Sequence, residues 1–394
     1  MRASEYRTRR ISAALCLLAA LAATVVVLMA VRADRAKAAV PGTTITVNTK
    51  EDASNSKGDC SLREAIRAAN TNSAVDGCKA GSATKRDAIR FRLGRFRLGR
   101  FLLGKRATIV LVSQLPTITD ASALTIDGGR KARIVVSGDG KVRVFSVSKD
   151  ARLALANLTV ADAFADTAHH GTGTGGVPGG GIANRGGVVT VTHSTFSGNN
   201  AVLGGGAIAN LGGGTLRVID STFYANRSTY GSAIVNGNGR LVVSYSTFSA
   251  NDAEFYGAIL NANSKAATTR LSSTVLADNL NDNIVNVCAG ADLSRCRGTI
   301  TDGGYNISDD RSFRFTDPHS KSNTDPKLDP GGLQSNGGPT KTIALQKGSR
   351  AVGYVPRGEN GCGTIVKTDQ RWVQRPQGKR CDSGAYELNA QPGK

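Results

Sequence analysis

Several things are scarce in this chain of 394 residues, and each scarcity narrows the reading. Amphipathic helical patterning is confined to one short stretch near the N terminus, which leaves the core to strands. Leucine is missing from the fixed positions that a leucine-rich repeat needs, and this rejects that solenoid although its period fits. No Cys-x-x-Cys spacing occurs and no His neighbours a cysteine, which weighs against a zinc-type site. Carboxylates are outnumbered, 30 Asp and Glu against 50 Lys and Arg, for a formal charge of +20. No nucleic-acid-binding motif accompanies that charge, so a nucleic-acid partner is not expected.

What is present is a repeat. Gly180-Gly181-Ile182-Ala183-Asn184 returns as Ala207-Ile208-Ala209-Asn210, Ala233-Ile234-Val235-Asn236 and Ala258-Ile259-Leu260-Asn261, with the isoleucines 26, 26 and 25 residues apart. A second motif, Ser194-Thr195-Phe196-Ser197-Gly198-Asn199, recurs at Ser221 and Ser246 and in a worn copy, Ser273 to Asp278. Alternating segments such as Val189-x-Val191, Leu216-x-Val218 and Leu241-x-Val243 lie between. Each period of 25 to 27 residues offers three short strands, none able to bury its apolar face alone, so the coils must stack. The expected fold is all-β, a right-handed parallel β-helix with three strands per coil. In the fourth copy Arg270 falls in the column of Val191, Val218 and Val243. Burying an unpaired Arg is too costly, so the register is expected to slip by one and turn Leu271 inward.

The columns Asn184, Asn210, Asn236, Asn261 and Asn199, Asn226, Asn251 read as amide ladders at tight turns, with an amide-lined groove as the functional alternative.

The N terminus carries Arg2, Arg7, Arg9 and Arg10 before an apolar run from Ile11 to Val31, the pattern of an export signal. Cleavage is expected after Ala38, with a retained membrane anchor as the alternative. Removing residues 1–38 takes seven basic and two acidic residues and leaves +15. Three local cysteine couples remain, Cys60 with Cys78, Cys288 with Cys296 and Cys362 with Cys381, which proximity favours as disulfides. Ser61-x-x-Glu64 is a capping box, and Leu62, Ala65, Ile66 and Ala69 share one helical face, suited to closing the first coil.

The run Cys60-Ser61-Leu62-Arg63-Glu64-Ala65, followed by Thr108-Ile109-Val110-Leu111 and Leu124-Thr125-Ile126-Asp127-Gly128, resembles exported bacterial proteins known by that CSLREA motif. Such proteins are similar to pectate-lyase-like right-handed β-helices, and most have no assigned activity. Asn336-Gly337-Gly338-Pro339-Thr340, Thr368-Asp369-Gln370-Arg371 and Cys381-Asp382-Ser383-Gly384-Ala385-Tyr386-Glu387 resemble the choice-of-anchor Q module. The chain departs from that pattern at Arg350-Ala351-Val352-Gly353 and at Trp372, where a Gly is usual. The resulting division is 1–38 signal or anchor, 39–106 N-terminal cap, 107–310 β-helix and 311–394 C-terminal cap. No apolar tail follows Glu387, so a free extracellular or cell-surface protein is expected.

Four features invite a functional reading. Arg90-Phe91-Arg92-Leu93-Gly94 is repeated twice more up to Gly104, as a polyanion stripe or as an extruded duplicated strand. His169-His170 lies in a Gly-rich insertion and suits a metal or catalytic loop. Asp369, Arg371, Asp382 and Glu387 make a polar site or a hydrogen-bonded cap on the last coil. Asp252, Glu254 and Asp278 are the carboxylates that the repeat brings closest, Asp278 at the ladder position. The leading expectation is an exported non-catalytic β-helix protein of the cell surface or medium that serves adhesion or glycan binding, with acidic polysaccharide or cell-envelope glycan as its partner and no cofactor. A polysaccharide lyase or glycoside hydrolase working through Asp252, Glu254 and Asp278 is the alternative, and a general polyanion binder is the second.

Overall fold

The computed structural model describes residues 41–388 apart from 55–57, 94–96, 99–100, 103–105, 167–177, 263–266 and 288–297. The chain is a parallel β-solenoid. One coil comprises Ile182–Arg185, Val188–Thr192, Thr195–Ser197 and Asn200–Gly204. The next places Ile208–Leu211, Thr215–Ile219, Thr222–Tyr224 and Arg227–Tyr230 directly upon it. Sheets of nine, eight and six strands run along the stack. A fourth sheet of four strands is added in the coils from Phe164 to Phe255, where the expected count was three per coil. The extra strand is short and its outer residues face water, so it lacks the apolar alternation that marks the others. The solenoid also starts earlier than residue 107, because Pro41–Val47 and Arg86–Phe91 already belong to the nine-stranded sheet.

Inward residues form columns. Phe196, Phe223 and Phe248 are fully buried and stacked at 5.0 and 4.6 Å between ring centroids. Each contributes about 1.5–3 kcal/mol by burial. Leu276 takes the next place, because Phe248 pairs with Leu276. Arg270 pairs with Val242 and points outward, while Leu271 pairs with Val243 inside, as the cost of burying a guanidinium requires.

Both amide columns are ladders. Asn184 donates to Asn210 at 2.7 Å, Asn210 to Asn236 at 2.8 Å, Asn236 to Asn261 at 2.9 Å and Asn261 to Asn286 at 3.0 Å. In the second, Asn199 donates to Asn226, Asn226 to Asn251 and Asn251 to Asn279. Asn279 therefore holds the ladder position expected for Asp278. Ile259 and Asn261 keep the expected register, but the one-residue slip that turns Leu271 inward carries on through the rest of the fourth copy, and Asp278 falls in the preceding column with Gly198, Ala225 and Ala250. That column, not the ladder, adopts positive φ, at 65°, 52°, 55° and 59° for Gly198, Ala225, Ala250 and Asp278. Asn236 is fully buried and bonded both above and below. Asn236→Ala is expected to lower stability by about 1–3 kcal/mol in urea unfolding, since it breaks the ladder at a buried position and leaves Asn210 and Asn261 to remaining partners there such as Gly214 and Thr269.

The N-terminal helix, Leu62–Thr71, has the capping box in place, with Ser61 N–H donating to Glu64 Oε2 at 3.0 Å. Its apolar face joins the solenoid core at Leu62, Ala65, Ile66 and Ala69. Disulfides join Cys60 to Cys78 and Cys362 to Cys381. Cys288 and Cys296 lie outside the described residues. In the RFRLG stretch Arg97–Leu98 pairs antiparallel with Phe101–Leu102, a ribbon separate from the solenoid sheets.

The segment after residue 310 does more than close the last coil. It runs back along the outside of the corner between the nine- and eight-stranded sheets. Asn360 donates to Ser273 Oγ, Thr222 Oγ1 donates to Gln370 at 2.6 Å, Gln370 donates to Thr195, and Trp372 reaches Asn157 at 2.9 Å.

Candidate anion-binding cleft

The corner is built by a column of residues in the left-handed backbone region: Asn157, His193, Asp220, Tyr245 and Ser273, with φ between 46° and 58°. Glycine and asparagine are the easiest choices there, Asp and His are tolerated, and Tyr245 carries the most backbone strain. Their side chains meet the C-terminal segment. His193 stacks flat on Trp372 at 4.1 Å and 4°. Arg375 is fully buried and forms an ion pair with Glu387 at 3.0 Å. The same guanidinium contacts Asp220 at 3.4 Å without hydrogen-bond geometry, and lies over the Tyr245 ring at 4.7 Å. It also donates to the carbonyls of Asp382 and Gly384. Asp369 pairs with Arg371 at 2.7 Å.

This seam is rich in acid. Burial pushes Asp220 up to about 8, against the pull of Arg375. Burial likewise raises Glu387 to about 7, and it lowers His193 to about 4. Asp369, Arg371, Asp382 and Glu387 all take part, bonded to one another and to the backbone rather than presented to solvent. Their observed chemistry is adhesion between the C-terminal segment and the solenoid.

The corner groove opens beyond Trp372. There a cleft of about 540 Å³ is lined by Arg106, Arg130, Lys131, Arg133 and Gly338. Its geometry follows from stacking: Arg106 pairs with Arg133 across two coils, and Arg130 and Lys131 sit in the turn before Arg133. The Arg130 guanidinium lies 3.6 Å above the Trp372 ring, which fixes it at the cleft edge. Trp372 itself has φ 72°, the glycine-favouring conformation expected at this position from the departure noted above. None of the four cations forms an ion pair among the described residues. A second basic cleft of about 520 Å³ lies on the C-terminal segment, lined in part by Arg357 and Lys367.

The expected carboxylate cluster does not assemble. Asp252 bridges to Leu280 rather than to Asp278, and it pairs with Arg227 at 3.3 Å. Asp278 is exposed beside Asp309, whose carboxylate accepts from its N–H at 2.7 Å. Glu254 faces solvent. His169 and His170 lie outside the described residues, among which no group of three or more His, Cys, Asp or Glu is placed to hold a metal ion. Sequence reasoning missed the cleft. Its signal was Arg130-Lys131-x-Arg133 after the Gly128-Gly129 turn.

No protein-family model and no curated protein sequence matches the chain. Among solved structures it is similar to the major cedar-pollen allergen Jun a 1, at 14% identity and TM-score 0.38, over 73% of this chain and 82% of that one. It is also similar to pectate lyase Pel9A, at 13% identity and TM-score 0.34, over 88% and 97%. Both overlaps are weak, and the functional reading rests on the chain's own residues.

Proposed function

We propose that the protein binds an acidic polysaccharide through the cleft beside Trp372. The observation that carries this is four cations, without carboxylate partners among the described residues, converging on one concavity. Like charges crowd together unfavourably unless an anion joins them, and a polyuronate supplies a row of carboxylates at a repeat that a groove along stacked coils accommodates. An exported location fits two disulfides, bonds that persist in oxidising compartments. It also fits the resemblance of the Cys60 to Ala65 run to exported β-helix proteins.

The test is affinity electrophoresis in gels containing polygalacturonate or neutral dextran. Retardation is expected in polygalacturonate alone and should fall steeply from about 50 mM to about 500 mM salt. Arg130→Glu with Arg133→Glu should weaken it about tenfold or more. Retention that ignores both salt and these substitutions would sink the proposal. Release of unsaturated uronide from the same polymer would convert the binder into a lyase and send attention back to the same four cations.

A further inference from the structure

The added four-stranded sheet carries an exposed aromatic surface that nothing in the cleft explains. Nine large apolar side chains are prominently exposed among the described residues. Five of them, Val202, Tyr230, Phe255, Tyr256 and Leu280, lie on this sheet, directly follow it or flank it, Leu280 by a bridge to Asp252. Tyr230 and Phe255 are partners across adjacent coils. Ring centroids stand 5.9 Å apart for Tyr230 and Phe255 and 5.8 Å for Tyr230 and Tyr256, with planes inclined by only 30° and 23°. Phe255 and Tyr256 stand 6.4 Å apart with planes inclined by 49°, so the three rings make a shallow platform creased between them and levelled by Tyr230. Tyr256 adds a second observation. It follows Phe255 where Gly205 and Gly231 follow Gly204 and Tyr230, and its φ of 61° matches their 63° and 56°. A tyrosine is strained where two earlier coils use glycine, so a structural role does not account for its ring.

We propose that this platform binds a neutral polysaccharide of all-equatorial pyranoses, whose axial C–H faces stack on the rings. The surrounding charge selects the ligand. In a chain of formal charge +20, the platform is flanked by one cation, Arg227, against two carboxylates, Asp252 and Glu254. That repels a polyanion and leaves hydrogen-bonding groups for sugar hydroxyls. A second copy of the chain fits less well. The exposed fractions of these side chains amount to on the order of 400 Å², about half of what a stable interface buries on each partner. The site is independent of the basic cleft.

Affinity electrophoresis through hydroxyethyl cellulose, an all-equatorial β-glucan derivative, tests this at high salt, where the cleft is screened. The protein should be retarded, and Arg130→Glu with Arg133→Glu should not change that. Phe255→Ala should reduce apparent affinity about tenfold. Tyr256→Gly should do the same while leaving the melting temperature unchanged or higher, because glycine adopts this conformation freely. Absence of retardation, or retardation unaltered in Tyr256→Gly, overturns the proposal. So does a wild-type dimer in sedimentation that Phe255→Ala converts to monomer, since the platform would then be a self-interface.

Discussion

Arg375→Met is expected to cost about 3–5 kcal/mol in denaturant unfolding, as much as a full Phe→Ala cavity in the phenylalanine stack. The reason is the number of groups that depend on one guanidinium. Arg375 is 1% exposed and faces Glu387, Asp220, the carbonyls of Asp382 and Gly384, and the Tyr245 ring. Methionine fills similar volume but leaves buried Glu387 without its ion pair and the Asp382 and Gly384 carbonyls without a donor. The loss should be localised. Cleavage by trypsin within residues 311–388 should quicken, while fragments of the solenoid persist, because the coils hold one another by their own ladders and apolar columns. Equal sensitivity along the whole chain would show that the segment and the solenoid unfold as one unit.

The parts that were legible in the sequence are those that repeat. The spacing of Ile182, Ile208, Ile234 and Ile259 gives the stack, because a parallel coil places equivalent residues in register and selection for a shared core column shows as periodicity. The same rule explains one failure. The cost of burying Arg270 revealed a one-residue slip, yet the slip was not carried forward to Asp278, and Asn279 turned out to complete the ladder. The fourth strand was hidden because Arg227–Tyr230 and Asp252–Phe255 bury only one residue each and have no core column to advertise them. The course of the C-terminal segment was illegible for a different reason. Its contacts join residues such as Trp372 and Asn157, which are 215 positions apart and follow no period. The cleft inherits that difficulty, since its walls come from the turn before Arg133, the partner strand at Arg106 and Gly338 on the returning segment.

Stability should fall as pH rises from about 4 to about 8, opposite to the behaviour of a protein held by well-paired surface carboxylates. The folded-state value of Asp220 is raised from 3.8 to about 8, so between these limits the native seam holds a proton that the unfolded chain has released. Its stabilising contribution is complete below the unfolded value and is lost as pH climbs through the folded one. Glu387, raised from 4.5 to about 7, acts in the same direction. His193 opposes them, because its value is lowered from 6.5 to about 4 and the unfolded chain takes up the proton in that window. The three together leave a net decline, steepest just below pH 7, where the His193 term has ended and both carboxylates still contribute; each uncompensated proton is worth about 1.4 kcal/mol per pH unit. Asp220→Asn removes the largest contributor and suits the position, since φ at residue 220 is 46° and asparagine tolerates that backbone well. The variant should flatten the profile and be more stable than wild type near pH 8 by a few kcal/mol, measured by urea unfolding at a series of pH values. A wild-type profile that rises towards pH 8, or an Asp220→Asn profile that keeps the wild-type slope, would mean that Asp220 is ionised in the seam and paired with Arg375 more closely than 3.4 Å implies.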